Sequence, residues 1–164
     1  MTRMLTLLVS AAALGGCIGA TTPSGAPPDD KSPGTWAMLA PMLSARQELA
    51  VAEVGGKVYA VGGFGDGYEP VATVEAYDPA ANRWEARAPM PIAMHHPAAV
   101  SLGGKLYVLG GFMGRLSQVP QDSLFEYDPA TNAWRTLTPM PTPRGALGAA
   151  ALEGKIHALG GSQD

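Results

Sequence analysis

Three histidines, one cysteine and a few carboxylates are the residues of this chain best suited to chemistry. His95 and His96 stand side by side between Met94 and Pro97, and an imidazole pair can bind a metal ion or act as a general base. Neighbours on an extended strand point to opposite faces, so the spacing predicts that the two rings do not share one ligand. His157 falls where Tyr59 and Tyr107 stand in related stretches, and it is expected to pack. Glu75 and Glu126 lie in strand-like segments, and Asp78 and Asp128 open turns. Gly62-Gly63-Phe64-Gly65-Asp66-Gly67 is rich in glycine, but neither a helix nor the Lys-Ser/Thr of a phosphate loop follows it. The single cysteine, Cys17, has no partner for an intrachain disulfide or a cysteine metal cluster. These residues imply no catalytic set, no metal and no cofactor.

The elements that must position them recur along the chain. Gly103-Gly104, the apolar run Lys105-Leu106-Tyr107-Val108-Leu109, Gly110-Gly111, Tyr127-Asp128-Pro129 and Trp134 follow one another in the order already set by Gly55-Gly56, Lys57 to Val61, Gly62-Gly63, Tyr77-Asp78-Pro79 and Trp84. A third copy begins at Glu153-Gly154 and reaches Gly160-Gly161. Pro41-Met42, Pro89-Met90 and Pro139-Met140 lie 48 and then 50 residues apart, as do Gly62, Gly110 and Gly160. A period near fifty marks stacked supersecondary units, each too small to bury its apolar face alone. The units run over about 41–88, 89–138 and 139–164.

Each copy reads as antiparallel strands. Gly-Gly at the centre of a two-residue connection fits a turn with positive φ at both positions, pairing a small apolar first strand with the second. The second strands, Lys57 to Val61, Lys105 to Leu109 and Lys155 to Leu159, are almost continuously apolar and so are expected to be covered on both faces. Third strands are predicted over 73–77 and 123–127, and fourth strands from Arg83 and Ala133. Asp-Pro-Ala-Ala-Asn and Asp-Pro-Ala-Thr-Asn join them, with Asn accepting a left-handed conformation at the exit. Glu153 replaces the first turn glycine of the third copy, which should weaken that hairpin.

The N-terminus has another character. Met1-Thr2-Arg3 is followed by an apolar run, Met4 to Leu14, that is too short to cross a bilayer, for which about 20 residues are needed. It reads as the apolar region of a signal peptide over 1–16. Leu14-Gly15-Gly16-Cys17 resembles the bacterial lipobox, which implies cleavage before Cys17 and acyl chains on that residue. Ile18 follows without an acidic neighbour, and the resemblance then implies attachment at the outer membrane or cell surface rather than the inner membrane. Residues 17–32, rich in Pro, Gly, Ser and Thr, form a tether with too little apolar bulk to fold. A net charge of −3 and the lack of any Lys/Arg run after Arg3 exclude a nucleic-acid surface.

The chain from Trp36 to Asp164 resembles the kelch repeat. The matching residues are Gly62, Gly63, Tyr77 and Trp84, then Gly110, Gly111, Tyr127 and Trp134, then Gly160 and Gly161. Arg46 and Arg144 resemble the arginine that opens the kelch motif, and Met94 replaces it in the second copy. The resemblance implies an all-β fold of four-stranded propeller blades. Trp36 with Pro41-Met42 stands where a fourth strand would complete a last blade. The strand count gives about 2.5 blades, an incomplete ring, and open edges that invite self-association.

The function that this resemblance implies is a surface-tethered module binding a protein or glycan, from a truncated member of a larger propeller family. Asp66, Tyr68, Arg115 and Gln118 lie in the loops where the copies differ and are candidate ligand-binding residues. Arg46, His95, His96 and Arg144 are candidates for the mouth of a channel. The alternatives are an exported sugar-modifying enzyme similar to sialic-acid mutarotases and a non-functional fragment. Copper-oxidase kelch proteins require a Tyr-Cys crosslink, whereas Cys17, the single cysteine, is taken up by the lipobox.

Overall fold

Gly55 and Gly56 have φ of 61° and 78°, the turn that joins β1 (Ala50–Val54) to β2 (Lys57–Val61). Residues 36–115 and 118–163 are described by the computed structural model; the leader, Cys17 and the tether lie outside them. A second hairpin joins β3 (Val74–Asp78) to β4 (Arg83–Arg87). Its turn forms as the sequence dictates: Asp78 Oδ1 accepts from the amides of Ala80 and Ala81, and Asn82 exits at φ 46°. The sheet order is β1-β2-β3-β4, all antiparallel.

The second copy repeats this plan with β5 (Ala98–Leu102), β6 (Lys105–Leu109), β9 (Leu124–Asp128) and β10 (Ala133–Thr136). Between β6 and β9 a short ribbon, β7 (Phe112–Met113) with β8 (Val119–Pro120), borders the longer loop. Its counterpart in the first copy is a single Phe64 to Pro70 bridge around a 3-10 turn at Asp66–Tyr68. The third copy is the hairpin of β11 (Gly145–Leu152) and β12 (Lys155–Ser162), for which Glu153 adopts φ 49°.

Two expectations need adjusting. Third strands start one residue later than the pattern placed them, at Val74 and Leu124, because the Thr73 and Ser123 carbonyls instead accept the amides of Gly62 and Gly110 where the second strands bend away. Residues 36–42, expected as a fourth strand, form none. A strand needs a laddered neighbour, and Trp36 and Met38 are exposed instead.

The core lies between the sheets. Tyr59, Val61, Val74 and Ala76 of the first pack with Leu106, Val108, Phe125 and Tyr127 of the second, joined by Met90 and Met94 from the connecting segment. A smaller cluster of Ala98, Leu109 and Leu147 joins the second sheet to the third hairpin. This burial on both faces explains the unalternating β2 and β6, whereas Lys155–Leu159, expected to be covered in the same way, is largely exposed because no third strand pairs with it among the described residues.

Candidate functional site

Three equivalent residues, Glu48, His96 and Ala146, lead into the three copies. All have left-handed φ, at 56°, 51° and 54°. They are linked in series: the His96 amide donates to the Glu48 carbonyl at 2.8 Å, and the Ala146 amide to the His96 carbonyl at 3.0 Å. The left-handed turn at His96 breaks strand alternation, so the expectation of opposed rings does not hold. His95 Nδ1 lies 2.7 Å from His96 Nδ1, and His96 Nε2 lies 2.9 Å from Glu48 Oε2. His95 is fully buried, its ring stacked on Phe64 at 4.0 Å and tilted against Phe112 at 5.6 Å.

Arg46 is turned into the first sheet. Its guanidinium donates to the carbonyls of Gly62 and Thr73, both at 2.9 Å, and pairs with Glu75 at 3.3 Å. Burial lowers its basicity, and Glu75 opposes that effect. Glu75 in turn accepts from the Leu43 amide and the Ser44 hydroxyl. Arg144 makes the equivalent bond to the Gly160 carbonyl at 2.9 Å and donates to Thr142 Oγ1. Arg46 thus holds the bend at the end of β2, and Arg144 the glycine pair within β12.

The motif residues form a clamp on the segment that precedes each copy. Tyr127 donates to Asn132 Oδ1 at 2.6 Å, the same oxygen accepts the Ala88 amide at 2.9 Å, and Trp134 Nε1 donates to the Ala88 carbonyl at 2.8 Å. Tyr77, Asn82 and Trp84 hold Ala40 in the same way. The sequence pattern assigns these asparagines a turn role alone. Their fixed distance from the paired Tyr and Trp was the signal for this second role.

Glu126, which the sequence pattern places only as a third-strand carboxylate, is the centre of a further network. It accepts Tyr107 Oη at 2.8 Å and two bonds from Arg135, each at 2.8 Å. The Arg135 bonds, with help from Tyr107, hold its carboxyl below the ordinary range, and burial followed by the Glu126 bond pushes Tyr107 up. A carboxylate so fixed stays an acceptor and is a poor proton donor.

The candidate loops meet on one face. Arg115 reaches across from the second copy to Glu69 of the first, Nη1 to Oε1 at 3.3 Å. Asp66 and Tyr68 line an open hollow of about 370 Å³ with Phe64 and residues 45–47. Another of about 370 Å³ lies between Glu69, Ile92, Met113 and Arg115. Tyr68 is exposed at φ 60°, a left-handed position that costs a non-glycine residue roughly 1–3 kcal/mol. Gln118 is exposed in the same loop as Arg115. Among the described residues, no group of three or more His, Cys, Asp or Glu could hold a metal ion, and no helix is long and apolar enough to cross a membrane.

Two four-stranded units thus stand in register, each holding its preceding segment through Tyr, Asn and Trp, and the kelch motif matches residues 45–91 and 93–141, more than half of the chain. The chain belongs to the kelch-repeat family. No curated protein matches it. Among the described residues its main sheets are kelch blades, two of them complete in strand number and a further one represented by the β11-β12 hairpin. Kelch repeats generally mediate protein interactions, which fits a binding module with a protein partner.

Proposed function

We propose that this kelch module is anchored at the bacterial cell envelope through acyl chains on Cys17 and binds a protein partner on the face formed by residues 64–70, 112–115 and 118–120. The observation that supports the binding reading is the Arg115 to Glu69 contact, which joins the variable loops of two blades beside two open hollows. Tyr68, Met113 and Val119 are exposed there among Asp66, Glu69 and Arg115. Exposed aromatic and flexible apolar groups rimmed by charge are the composition of protein-binding hot spots. A glycan partner would use the Tyr68 ring and Asp66 in the same place.

The test is photo-crosslinking in the envelope, with a photoreactive residue placed at Tyr68 or Val119 and, as a control, at Arg83 on β4. One recurrent protein adduct from the first two positions and none from the third is the expected result. Equal adducts from all three, or none together with capture on a glycan array, would overturn the protein reading. Anchoring is tested separately by fatty-acid labelling, which Cys17→Ser should abolish.

A further inference from the structure

The pair His95–His96 joins two blades through a chain of three hydrogen bonds. At one end His95 Nε2 lies 3.1 Å from the Gly114 carbonyl, and at the other His96 Nε2 lies 2.9 Å from the Glu48 carboxylate. A carbonyl and a carboxylate can only accept, so both Nε2 atoms must carry protons. The central Nδ1 to Nδ1 contact, at 2.7 Å, then needs one proton and has room for no second. Three protons on two imidazoles make one positive charge, balanced by Glu48.

We propose that Glu48, His96 and His95 form an acid-released clasp between the first two kelch blades: a proton added at His95 Nδ1 sets N–H against N–H and parts the segments that lead into β1 and β5. The site resists that proton on physical grounds. His95 is closed between the Phe64 and Phe112 rings. Burial first, and then the charge of His96, lower its basicity, against the pull of the Gly114 carbonyl and of Glu48. Other charges on the packed elements are occupied elsewhere. Arg46 turns to Glu75, Arg144 to the Gly160 carbonyl, and Arg115 to Glu69. The backbone follows the side chains, because the His96 amide bonds the Glu48 carbonyl and its own carbonyl holds Ala146 of the third copy. Opening at one step therefore loosens the next. The third copy lacks the device, with Gly145 and Ala146 in the equivalent places.

The experiment is amide hydrogen exchange on the full chain between pH 7 and 5, corrected for intrinsic rates, with imidazole ¹⁵N shifts read in parallel. His96 amide protection should fall by up to about tenfold per pH unit below 6.5, while the Tyr59 and Tyr107 amides keep theirs. At pH 7 His95 should carry its proton on Nε2 only. His95→Phe, which fills the space between the two phenyl rings, should remove the pH dependence. The clasp is overturned by constant His96 protection in the wild type, by a proton on His95 Nδ1 at pH 7, or by an equal loss in His95→Phe. The wild-type shifts decide the matter if that variant does not fold.

Discussion

Arg46 and Glu75 meet at 3.3 Å inside the first blade with each side chain 1% exposed, while Met94 and Phe125 hold the equivalent places in the second. The exchange is paired: where the arginine is lost, the carboxylate is lost with it, and both replacements lie in the inter-blade core. A buried charge left alone is far more costly than a buried pair or an apolar pair. Arg46→Met or Glu75→Phe alone should therefore destabilise the chain by about 3–5 kcal/mol, and the double variant should recover most of that loss. Urea denaturation of the four proteins gives the coupling, and simple additivity would refute the pairing.

The clamp on the preceding segment makes a second prediction. Trp134→Phe keeps a ring beside Tyr127 but removes the donor to the Ala88 carbonyl, and should cost about 1 kcal/mol. Asn132→Ala loses the acceptor shared by Tyr127 and the Ala88 amide and places alanine at φ 52°, so it should cost more. Thermal melts compare the two, and a neutral Asn132→Ala would show that the clamp contributes little.

These two devices show what was legible in the sequence. Both Gly-Gly turns, the Asp-Pro turns and the fourth-strand starts at Arg83 and Ala133 follow from local backbone chemistry, and local chemistry is periodic here. The Arg46–Glu75 pair was written in the sequence as a correlated change, but becomes readable only once Ala60 and Val108 are known to face Glu75 and Phe125 across the ladder. The meeting of His95 and His96 was not legible. It depends on a left-handed His96, whereas strand periodicity assumes extended backbone throughout. The Arg115 to Glu69 contact joins two loops that differ in length, where the repeat itself gives no guide.

Acid should act in two separated steps. His95 has a lowered folded value, so its contribution is complete above its ordinary 6.5 and is lost as pH falls below it. Asp78 and Asp128 are also lowered, chiefly by their bonds to Lys57 and Lys105 and then by turn amides. Their contribution is present above the ordinary 3.8 and is lost as pH falls through the lowered range. Urea midpoints from pH 8 to 2 should fall in both windows. Asp78→Asn with Asp128→Asn should flatten only the lower step, and His95→Phe only the upper one.

The outer side of β12 carries no strand among the described residues, whereas β2 and β6 are covered there by β3 and β9. Ala158 and Leu159 are exposed, but their counterparts Ala60, Val61, Val108 and Leu109 are buried. His157, expected to pack, is exposed for the same reason. Unpaired edges with apolar faces recruit other chains. We infer that residues 36–163, taken alone, associate through this edge, and light scattering on them should give a mass above that of one copy. Leu159→Lys places a charge on the exposed face and should return the mass toward a single chain with the two complete blades intact by circular dichroism. A wild-type chain that runs as a monomer, with β12 amides as protected as those of β2, would mean that the edge is already covered by other means.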